Sequence, residues 1–282
     1  MSKLKRFSFG LIPLSVAAFL SISSNVRGEE PKSTSPATLN QLILEVSALQ
    51  ILHNLNATPA QLQQLRKLAK ETQSKDADLK PGKSSDKFRA TLLEMHQALL
   101  ESKNPDQIDK LSEKLDSLRE EEKPELEDDV DLTESARQRA PEALRLLGAP
   151  QVAAYLSGLV GDIGDPRARL VEALNQVRTM SHDQWTAFRG NFGDEIGRLI
   201  AGVDSEKSDK ISDQVVQLLL VARSLKEAEF KTQRPDLEKT ALKIVGDIGP
   251  FQVLQNVMEN VMATLLSNPR VSAAIDARLQ KK

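Results

Sequence analysis

The 282-residue chain contains no cysteine, which excludes disulfides, thiolate metal centres, a cysteine–histidine nucleophile and a lipid anchor on a processed cysteine. Aromatic residues make up only 4% of the chain, with one Trp and one Tyr, so any core must be aliphatic. That scarcity argues against the stacking platforms on which single-stranded nucleic acid or glycans bind. Long hydrophobic runs are missing too. The best of them, Leu11 to Ile22, contains Pro13 and falls short of the roughly 20 apolar residues of a spanning helix. No stretch alternates apolar and polar residues between turn signals, so strands are not expected.

The short apolar run has a different reading. Lys3, Lys5 and Arg6 precede it and "SNVRGEE" follows it, which is the layout of a secretory signal peptide cleaved near Gly28. Residues 1–28 are therefore expected to be removed, leaving no membrane span and an exported protein, periplasmic or extracellular. Those 28 residues hold four of the 38 basic side chains and no acid, so the mature chain has 34 bases against 40 acids, a formal charge of −6. A dedicated nucleic-acid binder would show a clustered basic footprint instead.

What remains is helical in period. Residues 29–37, "EEPKSTSPA", form a polar leader. From Leu39, apolar residues recur at 42, 43, 46, 49, 52 and 55, and further stripes run through Phe88, Leu92, Met95 and Leu99 and through Ile108, Leu111, Leu115 and Leu118. Residues 38–123 are expected to be an N-terminal helical hairpin domain. The acid-rich "EEEKPELEDDVDLTE" (120–134) repels itself and marks an acidic linker and helix over 124–144. It is no calcium loop: starting at Asp129, the sixth position is Glu134 instead of Gly and the twelfth is Ala140 instead of Glu.

Residues 145–282 repeat themselves. "VRTMSHDQWTAFR" (177–189) matches "ARSLKEAEFKTQR" (222–234) at an offset of 45, pairing Arg178 with Arg223, Met180 with Leu225, Trp185 with Phe230 and Arg189 with Arg234. "LVGDIGD" at 159, "LIAGVDS" at 199 and "IVGDIGP" at 244 follow the same rhythm. Periods of about 40–47 residues are those of helical-pair repeats, and the chain is similar in period to the HEAT type. The expected fold class is all-α, with a C-terminal αα-repeat or helical-bundle domain after the N-terminal hairpins. In the GDIG segments, Gly161 and Gly246 are expected to stop a helix, and Asp165 before Pro166 to cap the next one. No Lys-Ser/Thr follows these glycines, so they are not a phosphate cradle.

"NATPAQL" (56–62) combines Thr58, Pro59 and Gln61, a capping box with proline at the first helical position. Ser181 and Gln184 make a second one. On Thr58 and Gln61, with Ala57 where leucine is usual, the segment resembles the LTxxQ motif of small bacterial periplasmic helical proteins. That family includes ATP-independent chaperones and accessory sensors of envelope or metal stress. The resemblance implies a helical surface that shields unfolded or metal-stressed envelope proteins.

Chemistry is harder to find. His53, His96 and His182 lack the spacing of a helical zinc site, and no Gly-x-Ser-x-Gly elbow is present. No cofactor or metal is expected. Trp185, Arg189, Phe230 and Arg234 are the candidate interaction residues, with helix-surface pairing as the plainer account of the arginines. The reading is a secreted, non-catalytic helical scaffold that binds a protein partner and no nucleic acid. The alternative is an ATP-independent envelope chaperone or a stress or metal sensor of the LTxxQ type.

Overall fold

The computed structural model describes residues 38–75, 82–101, 104–126 and 130–281. The expected signal peptide and leader lie outside them. The protein is all-α, and the only strand-like pairing among the described residues is an isolated bridge between Lys83 and Glu125. None of the helices is long and apolar enough to cross a membrane. The chain divides into two units, one reaching to Thr133 and resuming at Thr264, the other running from Glu134 to Ala263.

Unit one contains α1 (Leu39–Asn54), α2 (Pro59–Thr72), α3 (Asp86–Leu100), α4 (Pro105–Glu122) and α12 (Val271–Gln280). Its centre is α1, which buries ten of its sixteen residues, Leu42, Ile43, Leu44, Leu49 and Leu52 among them. A helix apolar on nearly every side belongs inside a core. It packs against α3 and α12, and α12 also packs against α2. Three starts follow side-chain logic. Gln61 N–H donates to Thr58 Oγ1 at 3.3 Å while Thr58 N–H donates to Gln61 Oε1 at 2.9 Å. Thr38 and Gln41 form the same box at the head of α1, and Ser85 caps α3.

The expected boundary over 124–144, with everything from 145 in one C-terminal domain, differs from this division. Residues 264–281 leave that domain. The reason is burial: Val271, Ala274 and Ile275 of α12 are fully shielded within unit one. The last turn of the preceding helix joins it, with Thr72 Oγ1 donating to the Leu266 carbonyl at 3.0 Å and Ser74 N–H to that of Ser267 at 2.9 Å.

Unit two contains α5 (Glu134–Arg145), α6 (Ala149–Ile163), α7 (Pro166–Gln176), α8 (His182–Ala201), α9 (Ser205–Ser224), α10 (Glu227–Val245) and most of α11 (Pro250–Ser267). The 45-residue offset runs through its core. Leu170, Ala173, Leu174 and Val177 are buried, and so are Val215, Leu218, Leu219 and Ala222. Trp185, Phe192, Ile196 and Ile200 are matched by Phe230, Leu237, Ala241 and Val245. Two helical pairs, α7–α8 and α9–α10, thus bury the same register.

The α6–α7, α8–α9 and α10–α11 seams each carry a glycine at positive φ: Gly164 (61°), Gly202 (64°) and Gly246 (66°). One expected hinge is corrected. Gly161 lies inside α6, which continues to Ile163 and is capped by Gly164. A glycine inside a helix costs only about 1 kcal/mol, so it does not end one unless the next residues start another. Here the restart comes at Asp165, whose Oδ1 accepts from Arg167 N–H at 2.9 Å, with Pro166 at the first helical position.

Helices α8 and α9 form the closest hairpin. A Cβ added to Gly197 would stand 2.6 Å from the Ser208 carbonyl oxygen, and one on Gly193 would stand 2.7 Å from Ser212 Oγ. From α11, Asn256 Nδ2 donates to the carbonyls of Leu199 and Ile200 at 2.9 and 3.0 Å, closing the otherwise unpaired end of α8.

Candidate interaction groove and reciprocal arginine clamps

The matched segments hold each other. Arg178 Nη1 donates to the carbonyls of Ala222 and Leu225 at 3.2 and 3.1 Å. Arg223 Nη1 donates to those of Val177 and Met180 at 2.5 and 2.7 Å. Ala222 and Leu225 are the counterparts of Val177 and Met180. The guanidinium of Arg178 lies 4.1 Å from the Phe230 ring centroid, and that of Arg223 lies 5.8 Å from Trp185. Residue i of one copy touches j of the other and j touches i, the reciprocity of an isologous contact. Stacking in a single direction, as in a HEAT array, would not produce it.

This arrangement reassigns two candidate interaction residues. Trp185 and Phe230 are buried at 4% and 5% exposure, each beneath the other copy's arginine. They are anchors of the fold, because a large ring gains more from burial than from display. Arg189 and Arg234 are exposed, and Arg234 Nε donates to Glu238 one turn on at 2.7 Å. Ser181 and Gln184 form a reciprocal box at the head of α8, with Gln184 N–H to Ser181 Oγ at 3.2 Å and Ser181 N–H to Gln184 Oε1 at 2.8 Å. Gly246 caps α10 and its carbonyl accepts from Arg167 Nη2 at 2.6 Å.

The concave feature of unit two is a groove of about 360 Å³ between α7 and α8, lined by Arg169, Glu172, Gln176, Phe188, Asn191, Phe192 and Glu195. Phe188 and Phe192, one turn apart, stack with centroids 4.8 Å apart and planes inclined by 21°. Arg169 closes one end through two parallel bonds to Glu195, 2.8 and 2.7 Å long, and a 3.2 Å bond to the Ile163 carbonyl. Such a fork-to-fork pair fixes the guanidinium in a single plane. Glu172 and Asn191 stand exposed on the rim. The groove has an aromatic floor, a rigid polar end and a net negative rim. Sequence reasoning missed it, although Phe188 and Phe192 at i and i+4 were a legible aromatic stripe.

Unit one holds its own polar cluster. Glu45, buried in α1, receives Arg270 Nη2 at 2.7 Å and lies 3.0 Å from His96 Nε2 of α3. Burial by itself would raise this carboxyl, but the bonds from His96 and Arg270 outweigh it and hold Glu45 below the usual carboxylate range. His182 is exposed at the first position of α8. Among the described residues no group of three His, Asp or Glu side chains is placed to hold a metal ion.

Comparisons with protein-family models, with curated proteins and with solved structures return no match.

Proposed function

We propose that the protein is an exported helical scaffold that captures a protein partner in the α7–α8 groove. The single observation that supports this reading is the stacked Phe188–Phe192 floor beneath a groove of about 360 Å³. That volume suits one or two side chains of another protein, and the carboxylate of Glu172 on the rim favours a basic residue beside an apolar one. Export rests on the basic start, short apolar run and Gly28 cut.

A photo-crosslinking residue at Asn191, on the rim, tests the groove in living cells. The expected outcome is one dominant adduct, lost when Phe188→Glu places a charge on the floor. An adduct pattern indifferent to that charge, or identical from a crosslinker at exposed Arg234, defeats the reading. Export is tested by the mass of the purified protein, which should begin near Glu29.

A second reading, a holdase that shields unfolded chains, draws on exposed apolar surface. Phe251 is 79% exposed, and Leu242 and Val221 nearly half exposed. Helix α6 is largely apolar, yet none of Ala149 to Leu159 is buried. Apolar side chains left in solvent are available to an unfolded client. Light scattering of a denatured client should fall at equimolar protein without ATP, and unchanged scattering at several-fold excess removes this reading.

A further inference from the structure

In unit one, two nitrogen-bearing side chains, Arg278 and His53, each stand eight residues on from the Arg270–Glu45 pair that joins α12 to α1. Arg278, in the last turn of α12, is 3% exposed, and its Nε and Nη1 have no hydrogen-bond partner among the described residues. His53, in the last turn of α1, has a buried Nδ1 in the same condition. The two lie close enough for the Arg278 charge to disfavour protonation of His53, after burial, which is the larger effect. Asp109 of α4 opposes both.

A guanidinium does not shed its proton in a protein. Burying it unpaired is costly even after relaxation. The carbonyl ends of α1 and α12 carry partial negative charge, but a helix terminus offsets only part of that cost. The imbalance calls for an anion. Asp276 and Glu45 are already held by Arg66 and Arg270, and Asp109, half-buried on α4, makes no hydrogen bond to the orphaned nitrogens.

We propose that Arg278 and His53 form the binding site of a single oxyanion between the last turns of α1 and α12. Arg278 supplies the charge and the unspent N–H donors of Nε and Nη1, and His53 contributes Nδ1. A tetrahedral phosphate or sulfate and a planar carboxylate share this chemistry. The burial of these nitrogens favours a small ion over a protein side chain. The site is independent of the α7–α8 groove, so either can fail alone.

The test uses the full mature chain and inorganic phosphate, with chloride at matched ionic strength as the control and acetate as the planar alternative. Phosphate should raise the unfolding midpoint by about 3–5 °C at roughly ten times its dissociation constant. It should also shift the His53 ring signals in an NMR titration while leaving those of His182 in place. Arg278→Met keeps the unbranched stem and removes the charge. It should abolish the phosphate effect and, without phosphate, be at least as stable as the parent. Acetate reproducing the shift assigns the site to carboxylates, and acetate without effect assigns it to tetrahedral ions. An equal phosphate effect in Arg278→Met, or unmoved His53 signals, overturns the proposal. Should Arg278→Met fail to fold, His53→Gln takes its place, and a phosphate response undiminished in that variant overturns the proposal equally.

Discussion

The two units are stabilised by opposite means. Unit one encloses polar groups in its core: Asn40, Glu45, Thr72, Thr91, Ser267, Asn268 and Arg278 are all buried. Unit two repeats one apolar register, and a pair of arginines reaches across its duplicated segments to backbone carbonyls. A polar core specifies one arrangement, because each donor has few acceptors within reach and an unmet one is costly. A doubled apolar core needs another source of specificity, and the reciprocal clamps provide it. Divergence is then free to accumulate at the surface. Phe188 and Glu195 of the groove face Gln233 and Thr240 at the offset of 45, so only the first copy carries an aromatic floor.

The contrast predicts where damage is greatest. Glu45→Ala should cost unit one about 3–5 kcal/mol, because it strips the half-buried Arg270 and His96 of the carboxylate they share. Denaturant unfolding read in that unit would reveal it, and a loss under 1 kcal/mol would remove the polar-core account. The same group sets an acid limit. Its folded-state pKa is depressed, so its contribution is present above the ordinary carboxylate range and is lost as pH falls through the lower folded value. Glu45→Gln should flatten the stability profile below about pH 4.5 and leave it unchanged near neutrality in slope.

Next in size is the α8–α9 contact. Gly197→Val drives a branched side chain into the Ser208 backbone and should cost about 3 kcal/mol, the upper end of overpacking. Its counterpart in the second copy is Leu242, nearly half exposed, where Leu242→Ala should stay within about 0.5 kcal/mol. Equal effects at the two sites would mean that the copies are packed alike after all. Arg178→Ala and Arg223→Ala should each cost about 2 kcal/mol, the range of hydrogen bonds to charged groups. The two losses should match within about 1 kcal/mol if the clamps are equivalent. Smallest is Thr58→Ala, about 1 kcal/mol for a lost cap, measured by the same unfolding curves.

How much of this was written in local sequence depends on the reach of each interaction. Caps act over three residues, and Thr58 with Gln61, Ser181 with Gln184 and Asp165 with Pro166 sit where the letters imply. The helix seams were legible to within a few residues. Gly161 misled because an isolated glycine resembles a stop, whereas the positive φ falls three residues later on Gly164. Matching Arg178 to Arg223 revealed a duplication but not its geometry. Trp185 alone gives no sign that its ring is covered by an arginine 38 positions downstream. The docking of α12 on α1 joins positions more than 200 apart, and nothing local announces it.

That last contact has a consequence for the order of assembly. During synthesis α1 emerges more than 200 residues ahead of the helix that seals it. Every residue of unit two is in place before unit one can close. The newborn amino-terminal segment therefore waits with one flank of α1 uncovered. A stall or a cut anywhere upstream of Val271 would strand it in that state, open to aggregation and proteolysis.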